Sequence, residues 1–81
     1  MSKYDPWRDY LLAQRANTVT MTFDELYALA PLPSSARTHP EWWSNENIET
    51  TTHSQCKSWQ AAGYTARVDI VRGVVTFTRL N

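Results

Sequence analysis

Residues 53–79 read HSQCKSWQAAGYTARVDIVRGVVTFTR, and this stretch decides the fold. Its first ten residues, His53 to Ala62, set Cys56 and Trp59 one helical turn apart among Ser54, Gln55, Lys57 and Ser58. That spacing predicts an amphipathic third helix with Cys56 and Trp59 facing the core. Thr50, Thr51 or Thr52 is expected to cap it. Gly63 stands where a left-handed residue closes a helix. Tyr64, Ala66, Val68 and Ile70 then alternate with Thr65, Arg67, Asp69 and Val71, the period of a strand with one buried face. Arg72-Gly73 reads as a turn, and Val74 to Arg79 as the returning strand. The C-terminal third is therefore a helix followed by a β-hairpin with a basic tip.

Moving toward the N-terminus, Thr18-Val19-Thr20-Met21-Thr22-Phe23 alternates polar and apolar residues and predicts another strand. Thr22 and Glu25 have capping-box spacing, so a helix follows at once. Phe23, Leu26, Tyr27 and Ala30 form its expected buried stripe, and Pro31 and Pro33 stop it. Further upstream, Asp5 as cap and Pro6 in the first turn open a helix predicted over Pro6 to Arg15. Trp7 and Leu11 lie on one of its faces, and Ala16-Asn17 ends it. Between the second and third helices, residues 34–50 are too long for a simple connector. Ser34 to Arg37 and Pro40 to Trp43 each suit a short helical turn, while Ser44 to Asn47 reads as loop. The expected class is α+β and winged-helix-like. Three helices accompany a small antiparallel sheet, made of one short strand and the C-terminal hairpin, in a single domain over 1–81.

Composition narrows the function classes. The 81 residues are 42% hydrophobic and 12% aromatic, with four tryptophans and two glycines. That is the make-up of a chain that folds, since each indole buries a large apolar area. Cys56 is the single cysteine, so no disulfide forms within the chain. The first residues lack the apolar core of a signal peptide, and no apolar run reaches membrane-spanning length. A cytoplasmic protein with no membrane partner is expected. Net charge is zero, yet residues 1–50 hold four basic against seven acidic side chains, and residues 51–81 hold four against one. If the C-terminal part forms one face, that face is positive.

A helix leading into a hairpin with a basic tip is the order of a winged helix, whose last helix enters the DNA major groove while the tip lies on the backbone. On that reading His53, Ser54, Gln55 and Ser58 meet base edges, and Lys57, Arg72 and Arg67 meet the DNA, with Arg79 a further candidate for phosphate. Each of these polar residues also suits the wet face of any amphipathic helix. Trp42-Trp43 is the most unusual local feature. Adjacent helical residues point about 100° apart, so one ring is expected to pack inside and the other to lie partly exposed near Asn45. An exposed indole would stack on a base or touch a protein partner, and Arg37 lies in the same segment. Two histidines are too few for a metal site, no glycine-rich phosphate loop exists, and no cofactor is expected. Cys56 with His53 could form a nucleophile pair, but Cys56 falls on the apolar side of the helix.

Several segments together resemble an uncharacterised family of short prokaryotic domains. They are Lys3-Tyr4-Asp5-Pro6, Leu32-Pro33-x-Ser35-Ala36-Arg37, Trp42-Trp43-x-Asn45, His53-Ser54-Gln55 and Ala62-Gly63-Tyr64, with Val75-x-Phe77 near the end. The resemblance implies a DNA-related binding role, because such domains occur alone or joined to nuclease-like and restriction-associated regions. In one version Trp43 and Asn45 hold the edge or methyl group of a modified base. The sequence thus points to a non-enzymatic domain binding double-stranded DNA. A small protein-interaction module, such as a phage-encoded inhibitor or accessory subunit, is the second reading. A Cys56-dependent enzyme is the third.

Overall fold

A computed structural model describes residues 2–80. The element order is α1 (Asp5–Leu12), β1 (Thr18–Thr22), α2 (Phe23–Leu29), α3 (Ser34–Thr38), a 3₁₀ turn (Pro40–Trp43), α4 (Ser54–Ala61), β2 (Tyr64–Asp69) and β3 (Val74–Arg79). The class is α+β as expected, with four α-helices among the described residues rather than three. The additional one is α3, a five-residue helix where Ser34 to Arg37 suited a short helical turn.

The strands form one antiparallel sheet in the order β1-β3-β2. Val19 stands opposite Phe77 and Met21 opposite Val75, while Ala66 faces Phe77 from the other side. These residues, with Tyr64, build the buried face of the sheet. Because strand side chains alternate, the opposite face carries Thr18, Thr20, Thr76, Thr78, Thr65 and Arg67. The hairpin joins β1 through the start of α2, where the Phe23 amide donates to the Gly73 carbonyl at 2.9 Å.

Aromatic stacking supplies the core. Trp43 lies nearly parallel to Trp7, Phe23 and Trp59, with ring centroids 5.8, 6.1 and 5.6 Å away. One indole thereby ties α1, α2 and α4 together. A tryptophan buries about 150–250 Å², which at about 25 cal/mol per Å² is at most about 4–6 kcal/mol each. Helices of five to eight residues are marginal alone, so this packing holds them rather than their intrinsic propensity.

Most local signals act as read. The Thr22–Glu25 capping box forms in both directions, at 2.9 and 3.1 Å. Gly63 takes φ +87°, and Cys56 and Trp59 are buried. Other expectations are corrected. Asp5 is the first residue of α1 rather than its cap; its carboxylate accepts the Ser2 amide at 3.1 Å. The helix ends at Leu12, before Arg15, as the Gln14 amide tightens onto the Leu11 carbonyl. Tyr27 is 57% exposed and lies outside the buried stripe, at the surface where the Arg37 guanidinium of α3 stands 6.0 Å from its ring centroid. No threonine caps α4; His53 holds that position, and the Thr51 hydroxyl instead accepts the His53 amide. The hairpin turn is Ile70 to Gly73 rather than Arg72-Gly73 alone. The Asp69 carboxylate accepts the Arg72 amide and its carbonyl accepts the Gly73 amide, which closes a four-residue loop. Gly73 has φ +69°, a conformation that side chains with a Cβ rarely adopt.

No helix among the described residues is long and apolar enough to cross a membrane.

Candidate nucleic-acid and partner interface

Trp42 and Trp43 divide their roles. Trp43 is 2% exposed, and its indole N–H donates to the Ala36 carbonyl at 2.7 Å. Trp42 is half-buried, set edge-on to Tyr4, Trp7 and Trp43. The indole N–H groups of Trp7 and Trp59 are also spent, on the Leu26 carbonyl and the Asn45 amide oxygen. Among the described residues the Trp42 N–H has no such partner. One ring in and one part-exposed is the expected arrangement, and it identifies Trp42 as the available one.

Asn45 does not serve a base. Its amide nitrogen donates to the Ala66 carbonyl at 2.8 Å, and its oxygen accepts the Ala66 amide at 2.8 Å and the Trp59 indole at 3.0 Å. The side chain therefore imitates one residue of a neighbouring strand along the free edge of β2. With Trp43 buried as well, the arrangement in which Trp43 and Asn45 hold a modified base is ruled out by geometry.

Trp42 lines a cleft of about 480 Å³ at the N-terminus of α4, together with Ser35, His39, Glu41, Ser44, Glu46, His53, Gln55 and Cys56. Glu46 organises one wall. Its Oε1 accepts the Thr51 hydroxyl, and the His53 Nδ1 lies 2.8 Å from the same oxygen. The hydrogen bond from Thr51, and then the one from His53, holds the Glu46 carboxyl below its ordinary pKa, so it is ionised at neutral pH. His39 pairs with Glu41 at 3.2 Å on the rim. No lysine or arginine lines this cleft. Neither the Glu46 network nor the His39–Glu41 pair was foreseen, since contacts two, five and seven residues apart in an irregular segment carry no periodic signal.

Cys56 sits at the back. Its sulfur accepts the Glu46 amide at 3.2 Å and donates to the Glu46 carbonyl at 3.6 Å, and burial raises its pKa. The thiol therefore stays protonated at neutral pH, and the His53 ring is turned to Glu46 rather than to sulfur. A nucleophile pair needs the opposite on both counts.

The predicted DNA-facing residues separate into groups. Lys57 is exposed on α4, and Ser54 and Gln55 are half-buried at its first turn. Gln55 reaches the Trp42 carbonyl at 3.4 Å. Ser58 is 4% exposed and its hydroxyl donates to the Gln55 carbonyl at 2.6 Å, so the expectation that it faces outward is overturned. It precedes the buried Trp59 on α4, a helix that packs against α1 and β2. Arg67 lies on the sheet face away from the core, in a shallow groove with Thr20, Thr76 and Thr78. Arg72 borders that groove and a second one with Arg37, Asp24 and the start of α2. Neither groove includes a residue of α4.

The charge asymmetry therefore does not become one positive face. Arg79 folds inward, donating to the Gln14 carbonyl at 2.8 Å and the Tyr64 hydroxyl at 3.0 Å. Arg37, from the acidic half of the chain, instead joins Arg72 at the hairpin tip, its guanidinium lying over the Phe23 ring at 5.6 Å. Helix α3 stands between the two regions, with Ser35 on the cleft and Arg37 on the tip. Among the described residues no group of three or more acidic, histidine or cysteine side chains is placed to hold a metal.

No curated protein and no solved structure matches the chain. A family model does match, over residues 4–80, and the chain belongs to that family, described as a domain of unknown function, DUF7662.

Proposed function

We propose that this chain is a non-enzymatic, cytoplasmic domain that binds double-stranded DNA, with α4 toward the major groove and the hairpin tip on the backbone. The observation that carries the reading is topological. Helix α4 leads directly into the β2–β3 hairpin, and β3 takes the centre of the sheet beside β1, as in a winged helix. The likeness to short prokaryotic domains found beside nuclease-like and restriction-associated regions supports the same role.

The contact set is narrower than the sequence reading. Lys57 and Arg72 meet phosphates, and Arg37 adds a second cation beside Arg72. Ser54 and Gln55 are the base-edge candidates, since Ser58 is buried and His53 is engaged by Glu46. Val71 at the tip is 96% exposed, an apolar residue poised to enter a groove beside Arg72. The body is 28 Å along its longest axis, about the rise of eight base pairs at 3.4 Å each. A modified base would be sensed by Trp42, the indole with surface to offer.

Fluorescence anisotropy with a labelled 20-base-pair duplex tests the proposal. Affinity falls steeply between about 50 and 200 mM salt, and Lys57→Glu and Arg72→Glu each weaken binding about tenfold. Binding indifferent to both substitutions would falsify the assignment. A second reading, a protein-interaction module such as a phage-encoded inhibitor or accessory subunit, is favoured by one observation: the open cleft beside Trp42 holds two glutamates and no lysine or arginine.

A further inference from the structure

The cleft at the head of α4 has a chemistry that the phosphate contacts of duplex docking do not use. Glu41 and Glu46 give it two carboxylates, one paired with His39 and the other with His53, and no lysine or arginine lines it. Oxygen Oε1 of Glu46 takes both the Thr51 and His53 contacts, which leaves Oε2 without a partner among the described residues. Trp42 adds an indole whose N–H is unspent. The two carboxylates disfavour a phosphate, because like charges a few ångströms apart repel. A cationic group gains on both sides. It pairs with Glu46 and lies against the indole, and a planar guanidinium does both more effectively than an ammonium.

We infer that this cleft seats an arginine side chain of a protein partner, held between the Glu46 carboxylate and the Trp42 indole. The inference rests on the interaction-module reading and is separate from duplex docking. The partner is a protein segment rather than a free amine because the cleft, at about 480 Å³, is much larger than one guanidinium and opens to solvent. Ser35, Ser44 and Gln55 around the rim are neutral hydrogen-bonding groups suited to the backbone on either side of that arginine. The three glutamates of the segment, Glu41, Glu46 and Glu49, which count against phosphate, attract such a basic segment.

The test is a titration of the ¹⁵N-labelled full chain, followed by two-dimensional NMR, with a blocked pentapeptide carrying a central arginine. A second peptide replaces that arginine by citrulline, which keeps the shape and removes the charge. The expected result is a saturable shift of the Trp42 indole N–H signal and of Gln55, at least about tenfold weaker for citrulline. Glu46→Gln and, independently, Glu41→Gln weaken arginine-peptide binding, with the unbound spectra reporting that each variant is folded. Equal shifts from the two peptides, or shifts confined to the hairpin tip, overturn the inference. So does saturation of the same signals by adenosine monophosphate with no response to the arginine peptide, which assigns the cleft to a base. No duplex is present, so this outcome and that of the anisotropy assay are read independently.

Discussion

Asn45 shows most clearly how one side chain was misread and why. In sequence it is an asparagine two residues after a tryptophan pair, suited to a turn or to a base edge. In the fold its amide satisfies both backbone groups of Ala66 and the Trp59 indole. Its partners lie 14 and 21 positions away, so nothing local could announce them. Trp42 and Trp43 were legible as a divided pair, because helical geometry alone separates neighbouring rings; which ring turns in depends on where α1 and α4 stand. Asn45→Ala leaves the Trp59 N–H and the Ala66 amide without their acceptor. Each unsatisfied donor costs about 1–3 kcal/mol, so a loss of about 2 kcal/mol or more is expected in urea unfolding followed by tryptophan fluorescence. A loss under about 0.5 kcal/mol would show that water replaces the amide at little cost.

At the scale of elements, segments with a repeating pattern were readable and the connector was not. The alternation of β1, β2 and β3, the Thr22–Glu25 box and Gly63 each encode their conformation within a few residues. Residues 44–53 are held instead by Asn45, bound to Ala66 and Trp59, and by one acid, Glu46, to which Thr51 and His53 return. Glu46 has a lowered pKa in the folded chain. Its stabilising contribution is therefore fully present above the ordinary glutamate pKa and is lost as pH falls through the lower, folded value. Glu46→Gln should lower the melting temperature at neutral pH, with the difference from the parent chain shrinking as pH falls through and below the ordinary glutamate range. Melting curves recorded by circular dichroism across that range decide it. A difference that stays constant with pH would mean the carboxylate charge has no part in holding the connector.

For the whole molecule, the decisive fact is that one indole, Trp43, meets every helix, stacking on rings of α1, α2 and α4 and donating its N–H to Ala36 of α3. Trp42 rests edge-on against the same stack. The cleft, the exposed strip of α4 and the hairpin tip are thus positioned by a single core. Stability of about 0.05–0.15 kcal/mol per residue gives this 81-residue chain only about 4–12 kcal/mol in total. Truncating a buried tryptophan costs about 3–5 kcal/mol. Trp43→Ala should therefore remove much or all of the stability, with loss of the near-ultraviolet circular dichroism that a fixed aromatic cluster produces. Trp42→Ala should cost clearly less, since that ring is only partly buried, and the variant should keep a cooperative thermal transition. Two adjacent residues of one type, in a four-residue turn, then differ by the depth of their seats alone. Equal losses from the two substitutions would mean that Trp42 is as much a part of the core as Trp43. It would then have no ring to spare for a base or for the arginine of a partner.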